Sequence, residues 1–156
     1  MGSDGGGDSS DMLLSGVDHI ACLTRDPQRM GAFWASVFEA EVGPTRAHGE
    51  HGEETMTVVR IGPHTELNVF TIPSSEEADR QTPMWHRGRL DHVGLRASSY
   101  TAFAAIRERL IAEGGSDGTV NDFGSAYSMF FRDPDGLEGE VLVPKAPDGS
   151  HPVAGP

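Results

Sequence analysis

The chain has 156 residues, of which 37% are hydrophobic and 23% are charged, as expected for a single globular domain. Acidic residues outnumber basic residues by 24 to 12, and there is only one lysine, which argues against nucleic-acid and anionic-membrane partners. A single cysteine excludes an intramolecular disulfide and a CxxC motif. Neither a membrane-length apolar run nor a signal-peptide pattern is present, which predicts a cytoplasmic protein.

The chain divides into two tails and one predicted domain. Residues 1–12 are nearly all Gly, Ser and Asp, and residues 145–156 are rich in Pro and Gly. Neither stretch can bury enough apolar surface to offset the entropy of ordering, so both are predicted to be flexible tails. The domain between them, residues 13–144, is predicted to contain module one (13–72), a polar linker (73–89) and module two (90–144).

The two modules are predicted from an internal repeat. The apolar segment that contains Asp18, His19 and Ile20 recurs 73 residues later around Asp91, His92 and Val93. A helix is predicted after each copy, capped by Asp26 with Pro27 in module one and by Ser98 or Ser99 in module two. Apolar residues at helical spacing predict one buried face on each helix: Met30, Phe33, Trp34, Val37 and Phe38, then Phe103, Ile106, Leu110 and Ile111.

Three strands are predicted after each helix. They cover residues 40–45, 55–61 and 65–72 in module one, and residues 119–123, 126–132 and 137–143 in module two. The fold class is therefore α+β, with two tandem βαβββ modules.

Matched polar residues occur in the apolar strands of the two modules. Because side chains alternate along a strand, Ile20 and Cys22 are expected to pack on the helix, which leaves His19 on the opposite face, and His92 is placed in the same way. Glu66 and Glu140 each follow a turn glycine by four residues and lie in apolar strands. Since a carboxylate in such a position is costly unless it is paired or binds a metal, two His and two Glu suggest a divalent-ion site.

The sequence resembles the vicinal oxygen chelate superfamily, which includes glyoxalase I, methylmalonyl-CoA epimerase, extradiol dioxygenases, and the fosfomycin and bleomycin resistance proteins. The most specific motif is the segment Phe130 to Glu140, which matches the family's aromatic-x-DPDG-x-x-x-E signature. The resemblance implies a cupped, barrel-like mixed sheet with helices on the outside, and a homodimer. It also implies one divalent metal (Ni, Co, Zn, Mn or Fe) held by His19, Glu66, His92 and Glu140.

Two of these positions have alternatives. Asn68 and His64 lie on the same predicted strand face as Glu66 and replace it if the register shifts by two residues, and Glu138 shares a face with Glu140. Whether the modules pair within one chain or between two chains is left open by the sequence. His48 and His51 lie in an acidic loop and are interpreted as solvated.

The four-ligand set resembles glyoxalase I and the epimerases, so the resemblance implies a lyase or isomerase. In these enzymes the metal polarises a carbonyl of a small oxygenated substrate, and a glutamate, here Glu66 or Glu140, transfers a proton. Arg96 is a candidate contact for an anionic substrate group. A metal-free protein that binds a drug or metabolite is the alternative, and the net charge of -12 favours a cationic ligand.

An Fe(II) extradiol-type dioxygenase is a weaker alternative. Those enzymes have a histidine before the DP turn and a tyrosine three residues before its Asp, whereas this chain has no histidine in residues 121–129 and has Phe130 at the tyrosine position.

Overall fold

The computed structural model describes residues 13–50, 52–80 and 82–146. The predicted tails at residues 1–12 and 147–156, and His51, lie outside this part of the chain. Lys145 and Ala146, assigned above to the C-terminal tail, are hydrogen-bonded to the domain: Lys145 N–H to the Ser125 carbonyl (2.9 Å) and Ala146 N–H to the Tyr100 hydroxyl (3.1 Å). No helix in the described ranges is long and apolar enough to cross a membrane.

Module one contains five strands and one helix. They are β1 (His19–Leu23), α1 (Pro27–Phe38), β2 (Glu41–Val42), β3 (Arg46–His48), β4 (Glu54–Arg60) and β5 (Glu66–Thr71). The single strand predicted at 40–45 is instead two short strands on either side of Gly43 and Pro44, because a proline has no N–H to donate to a sheet ladder. The order of sheet one is β1-β5-β4-β2, with β3 also paired to β4.

Module two contains four strands and one helix. They are β6 (Val93–Arg96), α2 (Tyr100–Ala112), β7 (Asn121–Asp122), β8 (Ala126–Arg132) and β9 (Glu138–Pro144), and sheet two has the order β6-β9-β8-β7. In both sheets the first strand of the module runs parallel to the last one. The predicted α+β architecture of two modules is confirmed, and within one chain its strands form two separate sheets.

The helix starts follow the predicted capping. Asp26 accepts a 2.9 Å hydrogen bond from the N–H of Arg29, and Ser99 accepts one of 3.1 Å from Ala102. The predicted apolar faces are buried or partly buried, except that Ile111 is exposed. Each helix thus covers one face of its own sheet and leaves the other face, called the open face below, uncovered by either helix.

One hydrophobic core joins the modules. Trp34 and Phe38 of α1 pack against Phe131 of β8, with ring centroids 6.0 and 5.3 Å apart. The helices also contact each other, since Ser36 Oγ donates to Glu113 Oε1 at 3.2 Å. The core therefore lies on the helix-covered side of both sheets, and each open face lies on the opposite side of its sheet. The buried apolar residues are Met30, Phe33, Trp34, Val37, Val59, Leu67, Val69, Ala97, Phe103, Leu110, Met129, Phe131, Val141 and Val143.

The turn of the DPDG motif in module two contacts the start of α1 in module one. Asp135 accepts a 2.5 Å hydrogen bond from the Thr24 hydroxyl and forms an ion pair with Arg29. Gly136 has φ +86°, a backbone conformation that glycine adopts without steric cost. The signature motif thus contributes to the contact between modules as well as leading into β9.

Candidate metal centre

His92 and Glu140 meet on the open face of sheet two. His92 immediately precedes β6, and Glu140 lies in the neighbouring strand β9. The Nε2 atom of His92 is 3.7 Å from Oε1 of Glu140, and both side chains are largely buried. This distance is too long for a hydrogen bond, whereas two coordinate bonds of about 2.0–2.2 Å to one ion can span up to roughly 4.2 Å.

Both residues are oriented by a second polar group. Nδ1 of His92 is 2.8 Å from Oδ1 of Asp91, and Oε2 of Glu140 accepts a 2.7 Å hydrogen bond from the Ser128 hydroxyl. Because a carboxylate only accepts, Nδ1 of the imidazole is the donor in this bond, and Nε2 is the nitrogen left to bind a metal. The hydrogen bond from His92 also lowers the pKa of Asp91. Such outer partners are characteristic of metal-ligating histidines and carboxylates.

The space between His92 and Glu140 depends on a glycine. Gly94 is the register partner of Glu140, and a Cβ at position 94 would lie 3.4 Å from Oε1 of Glu140 and 3.2 Å from the Leu142 side chain. A larger residue would therefore crowd the carboxylate that faces His92.

Glu138, the alternative to Glu140, is engaged elsewhere. Its carboxylate pairs with Arg132 at 2.5 Å and with Arg87 at 3.4 Å, and it accepts a hydrogen bond from the N–H of Met84. The hydrogen bond from Arg132 is the largest cause of its lowered pKa. These partners occupy its oxygens and explain why a second glutamate lies on this strand face.

His19 and Glu66 form a corresponding pair on the open face of sheet one. They are register partners in the parallel strands β1 and β5. Nδ1 of His19 is 2.7 Å from Asp18, which repeats the arrangement of Asp91 and His92. The Glu66 carboxylate forms an ion pair with Arg60 at 3.3 Å. The side chain of His19 is 49% exposed, so this pair is the more open of the two.

The alternatives to Glu66 lie in different places. Asn68 is the register partner of Ala21, so it is two residues further along β5 than the partner of His19. His64 is exposed in the turn between β4 and β5, at the rim of a surface cavity that Asp18, Arg60 and Glu66 also line. Register therefore favours Glu66 as the neighbour of His19.

The four candidate ligands occur as two pairs within one chain. Among the described residues, no group of three or more His, Cys, Asp or Glu side chains is arranged to hold a metal ion. The cause is the shared core, which lies on the helix-covered side of both sheets and leaves each pair on an outward face.

Three other residues discussed in the sequence analysis have defined positions: the candidate substrate contact Arg96, and His48 and Cys22, for which no role was predicted. Arg96, at the end of β6, is exposed and lines a cleft between the modules, together with Arg109. His48 lies in β3 with its ring 5.1 Å from that of Phe70, and it is exposed. Cys22 packs against the core, and burial raises the pKa of its thiol to about 12.

Sequence reasoning did not select two residues that surround this site. Ser128 orients Glu140, and Trp85 of the linker places its ring 5.5 Å from that of His92. Ser128 could have been found from its place two residues before Phe130 on the open strand face. The sequence does not indicate the position of Trp85, because the residues of the linker follow neither helix nor strand periodicity.

The fold is shared with known proteins. The model of the Glyoxalase/Bleomycin resistance protein/Dioxygenase superfamily matches residues 16–141, and the chain belongs to this family. No curated protein matches the chain in sequence.

Solved structures share the fold at low sequence identity. A glyoxylase/bleomycin resistance protein/dioxygenase domain from Frankia sp. EAN1pec superimposes with a TM-score of 0.70 at 18% identity, covering 86% of this chain and 95% of that one. A second structure is a mutant of the fosfomycin resistance protein FosX from Listeria monocytogenes, complexed with Mn(II) and 1S,2S-dihydroxypropylphosphonic acid. It superimposes with a TM-score of 0.61 at 18% identity, covering 83% of this chain and 92% of that one. A glyoxalase family protein from Enterococcus faecalis superimposes with a TM-score of 0.61 at 20% identity, covering 84% of this chain and 99% of that one.

Proposed function

We propose that this protein is a divalent-metal-dependent lyase or isomerase of the glyoxalase I or epimerase type, with His19, Glu66, His92 and Glu140 as metal ligands. The observation that carries the proposal is the pairing of His92 Nε2 with Glu140 Oε1 at 3.7 Å, each backed by its own outer hydrogen-bond partner. Imidazole nitrogen with carboxylate oxygen suits Ni, Co, Zn, Mn or Fe(II). FosX, which shares the fold, was crystallised with Mn(II).

The proposal requires two copies of the chain. Each copy carries one pair on each of two outward faces, so the pair of sheet one can meet the pair of sheet two only in a partner. A two-fold dimer does this twice, because such an interface repeats every contact. His19 and Glu66 of one copy would then join His92 and Glu140 of the other, forming two equivalent sites.

A bound divalent ion would polarise the carbonyl of a small oxygenated substrate and make the adjacent carbon more acidic. The chain's part is to move the proton. Glu140 is held by Ser128, whereas the Glu66 carboxylate is more exposed and contacts Arg60 at 3.3 Å. We therefore favour Glu66 as the residue that accepts the proton and returns it, with Glu140 keeping its orientation throughout.

The test is complementation between His19→Ala and His92→Ala. Each variant alone lacks one histidine in every site and should retain little Mn(II) or Ni(II). In a mixed dimer, one site keeps both histidines and the other has neither. With random exchange, roughly a quarter of the wild-type sites return. Elemental analysis of the refolded mixture measures this, followed by turnover of aldehyde–thiol adducts and epimerisable thioesters.

A matched control mixes His19→Ala with Glu66→Ala. Both changes lie in the pair of sheet one, so every site of a mixed dimer remains defective and no recovery is expected. Recovery in this control, or none in the first mixture while the wild type binds metal, contradicts the intermolecular site. A wild type that takes up none of Ni, Co, Zn, Mn or Fe(II) contradicts the metal-dependent function and favours the metal-free binding protein.

A further inference from the structure

Trp85 is an exposed aromatic residue in an unfavourable backbone conformation beside His92. Its side chain is 75% exposed, and its φ of +69° lies in the left-handed region that residues with a Cβ rarely adopt. Strained residues of this kind persist where surrounding contacts hold them, and they cluster at functional sites.

Trp85 is held through Asp91, the hydrogen-bond partner of His92, and through its neighbour Met84. The N–H of Trp85 donates to Oδ2 of Asp91, whose other oxygen binds Nδ1 of His92. The preceding residue, Met84, donates its N–H to the carboxylate of Glu138. Asp91 and Glu138 therefore hold the linker so that the indole lies next to His92.

A second aromatic ring, that of Phe130, also neighbours His92. Phe130, which is 36% exposed, has its centroid 6.5 Å from that of His92, and Trp85 has its centroid 5.5 Å away. Both rings are steeply inclined to the imidazole, at 79° and 84°. The histidine thus has two exposed aromatic neighbours, which are called the aromatic wall below.

We propose that the aromatic wall, Trp85 and Phe130, selects a substrate that carries a planar apolar group, aryl or conjugated, next to its metal-binding oxygens. This inference rests on the proposed function for the location of those oxygens. Flat apolar groups gain from both burial and ring–ring contact with such a wall.

The surrounding charges favour a neutral planar group over a cation. Two carboxylates that hold the linker already have partners: Asp91 is bonded by His92 and the Trp85 N–H, and Glu138 is paired with Arg132 and Arg87. A cation beside the indole would therefore find neither of these two carboxylates free to offset its desolvation, whereas a neutral aryl group needs no such partner.

The experiment compares benzohydroxamate with acetohydroxamate, which present the same two oxygens with an aryl or a methyl group. Their dissociation constants are measured by fluorescence for wild type, Trp85→Gly, Trp85→Phe and Phe130→Ala, with and without Mn(II). Glycine suits the positive φ at position 85, so Trp85→Gly removes the ring without backbone strain. Trp34, the second tryptophan, is buried and reports that each Trp85 variant is folded.

We expect wild type to prefer benzohydroxamate by roughly tenfold, Trp85→Gly to lose most of this preference, and Trp85→Phe to keep much of it. Acetohydroxamate affinity should stay unchanged in all variants. Benzohydroxamate should also protect the exposed indole of the wild type from quenching by acrylamide, with Phe130→Ala weakening the protection.

Metal binding and the preference for an aryl group can be lost independently of each other. If no metal binds but a Trp85-dependent aryl preference persists in the metal-free protein, the role of the aromatic wall is supported and the metal-dependent function is contradicted. An equal preference in wild type and Trp85→Gly overturns the aromatic wall whether or not metal binds. A wild-type indole that acrylamide quenches equally with and without bound benzohydroxamate also overturns it, because the aryl group then does not contact Trp85.

Discussion

Ser128 and Glu140 are joined by a 2.7 Å hydrogen bond between the neighbouring strands β8 and β9. The hydroxyl of Ser128 binds Oε2 of the carboxylate, and the other oxygen, Oε1, faces His92. Because Ser128 is fully buried, its hydroxyl has no competing solvent contact. The bond therefore determines which glutamate oxygen is presented to the proposed metal.

Replacing Ser128 by Ala should weaken divalent-metal binding. Loss of an outer partner of a metal ligand typically costs about 10- to 100-fold in affinity, because the ligand is no longer held in one orientation. Titration with Mn(II) or Ni(II) measures the change, and Ser98→Ala, just after β6 and away from Glu140, is the matched control. An unchanged dissociation constant in Ser128→Ala would show that this bond does not support a metal ligand.

Three substitutions in module one can decide which residue acts as the metal ligand together with His19. Glu66 is the register partner of His19, Asn68 is two residues further along β5, and His64 lies in the preceding turn. We expect Glu66→Gln to lower both metal affinity and turnover, with Asn68→Ala and His64→Ala close to wild type. The same titration and a turnover assay distinguish them. If Asn68→Ala or His64→Ala reproduces the loss and Glu66→Gln does not, the assignment of Glu66 is wrong.

Local rules predicted much of the fold and the strand faces of the candidate ligands. The Asp26 cap followed by Pro27 identified the start of α1. Strand alternation and the repeat predicted that His19 and His92 lie on the face opposite the helix, and the repeated glycine-to-glutamate spacing selected Glu66 and Glu140. In the structure Glu66 is the register partner of His19, and Oε1 of Glu140 lies 3.7 Å from Nε2 of His92. These features depend on neighbours in sequence or on one adjacent strand, which an amphipathic pattern specifies.

Features that depend on distant packing could not be read from the sequence. The outward placement of both ligand pairs follows from the packing of Trp34 and Phe38 on Phe131, which lies 97 and 93 positions further along the chain. Hydrophobic periodicity identifies these residues as core without identifying their partners. The position of Trp85 depends on a positive φ held by Asp91, which the composition of the linker does not indicate.

Asp133 should make the stability of the fold depend on pH in an unusual direction. It is 4% exposed, and its Oδ1 accepts hydrogen bonds of 2.9 Å from the N–H groups of Asp135 and Leu137. Its Oδ2 is buried and has no hydrogen-bond partner in the described part of the chain. Burial raises the pKa of Asp133 to about 6, while the hydrogen bonds from Leu137 and Asp135 act in the opposite direction.

The direction of this pH dependence follows from the number of protons that Asp133 binds in the folded and unfolded states. Between the usual pKa of 3.8 and the folded pKa of about 6, the folded protein binds more protons at Asp133 than the unfolded chain does. The contribution of Asp133 to the free energy of unfolding therefore falls as the pH rises from about 4 to 6, and it stays low above that range. Asp133→Asn removes the buried charge and keeps an oxygen acceptor for the two N–H groups.

We expect Asp133→Asn to be more stable than wild type at pH 8 by roughly 1–3 kcal/mol, with the difference disappearing near pH 4. Urea unfolding of both proteins across this range measures it. Asp117→Asn is the control of opposite sign, because the N–H of Thr119 lowers the pKa of Asp117 and its carboxylate stabilises the fold above that pKa. An Asp133→Asn difference that is constant with pH would mean that Asp133 keeps an ordinary pKa in the folded protein.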